Sequence, residues 1–203
     1  MNFEVIDNIL QTVVFFICMA AALVFAMTKR YRSLMILTFA YGSFMMGTLF
    51  YVLHIVITGH NPKIFYVSEV SWIASYLFFF SITLLRNGNS CFKPIPALIA
   101  APVGLISFTI RIFGPSLITS GIFALIAWGT VYLSICGIMV RGVAGGAFEI
   151  TLILGVVSQV MLFIVSIFTA EYTSFNLYFA VDIILTACLV ALLPILLRED
   201  AAQ

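Results

Sequence analysis

The sequence predicts an all-α, polytopic integral membrane protein, a bundle of seven transmembrane helices in a single domain that covers residues 1–203, with no soluble domain. Hydrophobic residues make up 64% of the chain and charged residues only 8%, whereas a soluble domain carries about 25% charged residues. Seven apolar stretches approach or exceed the ~20 residues that a helix needs to cross a bilayer. Most charged residues lie near the ends of these stretches.

Basic residues and turn-forming glycine and proline separate the seven spans. Span 1 follows Glu4 and Asp7, and its uncharged run is longer than the core of a cleavable signal peptide, so we expect it to be retained. A GHNPK turn (59–63) separates spans 2 and 3, and a flexible RGVAGG connector (141–146) separates spans 5 and 6. The predicted spans cover residues 8–28, 33–57, 65–85, 94–110, 116–140, 147–168 and 174–197.

Polar and small residues mark the faces along which several spans pack. Span 2 carries Tyr51 and His54 close to one face. Span 4 has a stripe of small residues, which lets helix backbones approach closely. Span 6 begins with Glu149, a first-turn acid whose negative charge the helix dipole stabilises. We expect Gln159 near the middle of the span to donate an interhelical hydrogen bond.

The distribution of basic residues predicts the orientation in the membrane. With seven spans, Lys63 and Arg111 lie on one side and seven further basic residues on the other. Basic residues favour the cytoplasmic side, so the N-terminus is predicted outside and the C-terminus in the cytoplasm. We expect a plasma-membrane protein, with a bacterial inner membrane as the default. The seven inner basic residues are Lys29, Arg30, Arg32, Arg86, Lys93, Arg141 and Arg198.

Spans 3 and 7 resemble each other and raise the alternative of an internal repeat. Both run inward, carry an acid in the outer half and end in Leu-Leu-Arg. A 3+1+3 arrangement with span 4 as the linker would produce such a parallel repeat. Apolar helices also resemble one another by composition alone, so the repeat is one of two interpretations.

Two acids inside spans identify a candidate ligand-binding site in the outer half of the bundle. Glu69 lies about one turn into span 3, and Asp182 about two turns into span 7. A charge at mid-membrane costs about 2.5–3.5 kcal/mol, so we expect both acids to flank a water-accessible cavity with aromatic walls. Such a cavity suits a cationic or hydrogen-bonding ligand. The candidate residues are Glu69, Asp182, Trp72, Tyr76, His54, Tyr178 and Trp128.

The same residues also allow a purely structural interpretation. Asp182 could pair with Arg111 or His54 and fasten helices together, a contact worth about 1 kcal/mol. Glu69 lies near enough to the membrane interface to be hydrated. The tryptophans could serve as packing or interface aromatics, so the acids alone do not decide between structure and function.

Three classes of function remain open. A small-ligand sensor or receptor is favoured, because the polar groups gather in the outer half above a nearly apolar inner half. A secondary transporter of a small, cationic solute is the alternative, although it needs polar groups on both sides of a midplane site. An intramembrane enzyme would use a carboxylate pair such as Glu69 and Asp182.

The predicted partners are the lipid bilayer, a small-molecule ligand in the outer-half cavity and a cytoplasmic or membrane signalling protein. A formal net charge of +1 provides no large field for nucleic acid. The four cysteines lack the spacing of a metal site, and no lysine lies in span 7 to bind retinal. The sequence therefore predicts no metal and no cofactor.

Overall fold

The computed structural model describes residues 3–59, 66–88, 92–110, 116–169 and 171–200, and these residues form seven helices and no strand. The predicted all-α bundle is confirmed. Six of the described helices are long and apolar enough to cross a membrane, whereas α4 is shorter. The helices are α1 (Phe3–Lys29), α2 (Arg32–Thr58), α3 (Tyr66–Asn87), α4 (Pro94–Thr109), α5 (Leu117–Gly145), α6 (Ala147–Phe168) and α7 (Leu177–Asp200).

Two helices extend beyond their predicted spans. Helix α1 begins at Phe3 rather than at the predicted start of span 1, because the polar residues of its first turns are buried against the bundle. The predicted RGVAGG connector is mostly helical, since α5 continues to Gly145 and only Gly146 separates it from α6. Gly142 interrupts α5 with a φ of 73°, a conformation that glycine adopts without strain.

Six of the helices close a ring. Helices α1, α2 and α3 pack in sequence, α3 packs against α5, α5 against α6, α6 against α7, and α7 against α1. Helix α4 packs mainly against α5 and is not part of this ring. At 1.5 Å per residue its 16 residues span about 24 Å, less than the ~30 Å of a hydrocarbon core. The orientation in the membrane and the internal repeat stay predictions.

Apolar side chains fill the centre of the ring and also cover its outside. Tyr41 and Phe79 are fully buried, and the Tyr41 hydroxyl donates to the carbonyl of Leu189 at 2.7 Å. Large apolar side chains such as Val24 and Leu125 are exposed on the outer faces of their helices. A surface of this kind is stable against lipid rather than water.

Candidate ligand-binding cavity

A cavity of about 380 Å³ lies in the half of the bundle where α1, α3 and α7 begin. Helices α1, α2, α3, α6 and α7 and the connection between α6 and α7 contribute to its lining. Pockets that bind small molecules measure roughly 300–1,000 Å³. The space is therefore large enough for a small ligand.

Three carboxyl groups line the cavity, from Glu4, Glu69 and Asp182, and none of its described lining residues is basic. Glu69 is 4% exposed and Asp182 is 5% exposed. One oxygen of Glu69, Oε2, has no hydrogen-bond partner among the described residues. The seven basic residues of the described ranges lie at the other end of the bundle, at or near the ends of their helices. The electrostatics of the cavity favour a positive charge.

Six aromatic side chains from α2, α3, α6, α7 and the α6–α7 connection line the cavity: Phe44, Tyr51, Trp72, Phe163, Tyr172 and Tyr178. The rings of Tyr51 and Trp72 lie 6.3 Å apart, and those of Tyr172 and Tyr178 meet edge to face at 5.1 Å. Gly47 of α2 leaves the space for the indole, because a Cβ there would lie 2.6 Å from Trp72 Nε1. Aromatic faces of this kind attract cations.

Hydrogen bonds hold the mouth of the cavity together. The Tyr51 hydroxyl donates to Glu4 Oε1, and the backbone N–H of Glu4 donates to the carbonyl of Tyr172 at 3.3 Å. Burial raises the pKa of the Tyr172 phenol and the Glu4 carboxylate raises it further. The hydroxyl therefore stays protonated and donates to the carbonyl of Ser166 at 3.2 Å.

Four of the seven candidate residues line the cavity: Glu69, Trp72, Tyr178 and Asp182. Tyr76 is fully buried, and its hydroxyl donates to Oε1 of the cavity-lining residue Gln159 at 2.7 Å. Gln159 thus makes the interhelical hydrogen bond expected of it, but as the acceptor. Whether any of these side chains binds a ligand stays a prediction.

The other two candidate residues, His54 and Trp128, lie away from the cavity. His54 is exposed in the last turns of α2. Trp128 packs between α5 and α4, where its indole nitrogen donates to the carbonyl of Ala97 at 3.2 Å and its ring stacks on Tyr132. The absence of a side chain at Gly104 permits this contact, because a Cβ there would lie 3.0 Å from Trp128 Cβ.

Helix α1 contributes cavity residues that were not predicted from the sequence, because Glu4 lies before predicted span 1 and Asn8 and Gln11 carry no charge. Glu4, Asn8 and Gln11 line the cavity, and their spacing of i, i+4 and i+7 places them on one helical face. This helical spacing is the sequence pattern that could have identified them as a shared face. Asp182 interacts with Asp7 and Gln11 of α1 rather than with His54, and Arg111 lies outside the described residues.

The opposite end of the bundle carries a cluster of ion pairs, here called the inner ion cluster. Glu149 is fully buried and pairs with Arg86 (Nε to Oε1, 3.0 Å) and with Arg141. Arg86 also pairs with Glu199, and Arg141 donates to Asn87 Oδ1 at 2.9 Å. These contacts join α3, α5, α6 and α7. Glu149 lies in the first turn of α6, as predicted, but the sequence did not indicate that two arginines would also neutralise it.

The described cysteines do not form a disulfide or a metal site. Cys18, Cys136 and Cys188 are free thiols, and Cys91 lies outside the described residues. Among the residues that the structure describes, no group of three or more His, Cys, Asp or Glu side chains is arranged to hold a metal ion. No known protein family, curated protein or solved structure matches this chain.

Proposed function

We propose that the protein is a plasma-membrane receptor or sensor that binds a small organic cation in the cavity on its outer side and acts through a signalling partner. The observation that supports this most is the composition of the lining, which has three acids, six aromatic side chains and no base among the described residues. Carboxylates and aromatic faces together recognise ammonium groups. The oxygen of Glu69 that has no partner among the described residues is available to accept a hydrogen bond from such a ligand.

Three helices connect the cavity to the inner ion cluster, and we propose that they carry the signal. Helices α3, α6 and α7 line the cavity and also contribute Arg86, Glu149 and Glu199 to the inner ion cluster. A ligand that draws these helices together at the cavity changes their relation at the other end. The ligand can shift the equilibrium between the two helix arrangements only by the difference between its binding free energies for them.

The inner ion cluster also favours a second candidate, a secondary transporter of a small cation. A transporter must close one end of its path while the other is open. The pairs between Arg86, Arg141, Glu149 and Glu199 would seal the inner end, beyond the buried core around Tyr41 and Phe79. A transporter was disfavoured from the sequence because the inner half was predicted to lack polar groups, and the inner ion cluster supplies such groups.

The proposed function is tested by comparing choline with its uncharged carbon isostere dimethylbutanol in binding to the purified protein. A desolvated cation–π contact contributes about 2 kcal/mol, and a factor of ten corresponds to about 1.4 kcal/mol. We expect choline to bind at least about tenfold more tightly, by isothermal titration calorimetry. Equal affinity for the two compounds, or no binding of choline and tetramethylammonium, would contradict the proposal.

The receptor and the transporter are distinguished by counterflow of labelled choline in proteoliposomes. A receptor binds choline without accumulating it in the vesicles. Uptake driven by internal unlabelled choline would establish the transporter instead. The variant Trp128→Phe, altered at the α4–α5 contact away from the cavity, serves as a folded control for both assays.

A further inference from the structure

Asp7 of α1 and Asp182 of α7 form a pair of buried carboxyl groups at the wall of the cavity. The two side chains lie within hydrogen-bonding reach of each other, and each residue is 5% exposed. Asp182 lines the cavity and Asp7 does not. An ionised carboxylate only accepts hydrogen bonds, so a hydrogen bond between two carboxyl groups requires one proton.

The surroundings of the pair contain no positive charge among the described residues. The nearby titratable groups are the phenols of Tyr76 on α3 and Tyr178 on α7, the Glu69 carboxyl group in the same cavity, and, farther out, Glu4, Tyr51, Tyr172 and Cys188. Helix α6 contributes Gln159, which is uncharged. Two like charges in such a place repel strongly, which favours retention of a proton.

Polar atoms beside the pair are buried and unsatisfied. Oδ2 of Asp7 and Nε2 of Gln11 have no hydrogen-bond partner among the described residues, and Gln11 is 4% exposed and lines the cavity. Buried groups of this kind are normally satisfied by protein, water or ligand. Gln11 lies near Asp182 but forms no hydrogen bond of ordinary geometry with it, so its amide nitrogen points to an occupant at the boundary between the pair and the cavity.

We propose that Asp7 and Asp182 share one proton, which is released to water when an organic cation enters the cavity. This inference rests on the proposed function. One O–H bond breaks, the proton passes to the buffer, and no other bond changes. The pair goes from one negative charge to two while the cation adds one positive charge, so the exchange leaves the charge of the site unchanged.

The exchange predicts a specific pH dependence. Release of one proton per ligand makes choline affinity rise about tenfold per pH unit while the pair retains its proton. The rise ends at the pH where the pair loses the proton without a ligand. A binding site without the exchange has no such slope.

The test is calorimetric titration of the purified full chain with choline in buffers of different ionisation enthalpy, repeated across pH. We expect one proton released per choline in the wild type and in the control Trp128→Phe, which is altered at the α4–α5 contact away from the cavity. Asp7→Asn should bind choline without proton release and with affinity independent of pH. Infrared spectra provide a readout without ligand, since the carbonyl band of a protonated carboxyl group should disappear in Asp7→Asn and in wild type with choline.

Three results would overturn the exchange. Binding of choline with no proton release and flat pH dependence would remove it and leave the proposed function standing. Full proton release in Asp7→Asn would assign the proton to another group. No binding of choline or tetramethylammonium would overturn the proposed function and the exchange together.

Discussion

Trp72 is held in the cavity wall by the absence of a side chain on the neighbouring helix. A Cβ at Gly47 would lie 2.6 Å from Trp72 Nε1 and 2.7 Å from Cδ1, with the Ser68 carbonyl at 3.1 Å. The indole cannot retreat from a new methyl group without leaving its place in the wall. This contact therefore links packing between α2 and α3 to the shape of the cavity.

Replacement of Gly47 by alanine should destabilise the protein and weaken choline binding. Overpacking of a close contact costs about 1–3 kcal/mol, and displacement of Trp72 removes an aromatic face from the ligand. The measurements are unfolding in detergent micelles and calorimetric affinity.

The matched control is Gly42→Ala in the same helix. A Cβ at Gly42 meets only the Met19 side chain, with Sδ at 3.1 Å, and a flexible methionine adapts easily. If the two variants behave alike, the proposed role of Gly47 is wrong.

For individual residues, the sequence identified the acids inside apolar spans as candidate site residues but did not identify the acids that precede span 1. Glu69 and Asp182 stand out because a charge within a span is costly. Glu4 and Asp7 precede the apolar run, and their burial depends on contacts with other segments, such as the Tyr51 hydroxyl and Asp182. The helical spacing of Glu4, Asn8 and Gln11 indicates a shared face, but the local sequence does not show which segments bury that face.

Among the elements, the junction between α5 and α6 depends on the inner ion cluster. The fully buried Glu149 in the first turn of α6 pairs with Arg86 of α3 and Arg141 of α5. Phe148 N–H donates to Glu199 of α7 at 3.1 Å. Four helices are thus joined within a few residues of the α5–α6 connection.

Replacement of Glu149 by glutamine should lower the free energy of unfolding by about 3–5 kcal/mol, because loss of one partner leaves buried positive charge uncompensated. Thermal or denaturant unfolding in micelles measures the change. Glu171→Gln alters an exposed acid of the α6–α7 connection and should change stability by no more than about 0.5 kcal/mol. Similar values for both variants would show that the cluster contributes little.

The existence of the helices could be predicted from hydropathy, whereas their ends could not. Apolar runs of sufficient length specify spans, and this predicted all seven helices. The segment 141–146 contains three glycines, each costing about 1 kcal/mol in a helix, so a connector was expected there. Gly142 does break the helical geometry there, but α5 resumes and continues to Gly145, which the composition of the segment did not indicate.

For the molecule as a whole, the basic side chains of the described residues lie at one end of the bundle, away from the acids of the cavity. Acids and aromatic rings line the cavity at one end, and the basic residues lie at the other end, where the inner ion cluster joins four helices. The sequence predicted the side of the bundle that would carry the acids. It did not predict the cluster, because its members lie at span ends, where charged residues are ordinary.

The affinity of the purified protein for choline in the variants Glu69→Gln and Asp182→Asn tests the central claim most directly, with Glu171→Gln as the control. Both substitutions preserve shape and remove a negative charge that faces the cavity. We predict that each lowers choline affinity at least about tenfold, a loss of about 1.4 kcal/mol, while expression and the control stay at wild-type levels. Wild-type affinity in both variants would contradict a cation site in this cavity.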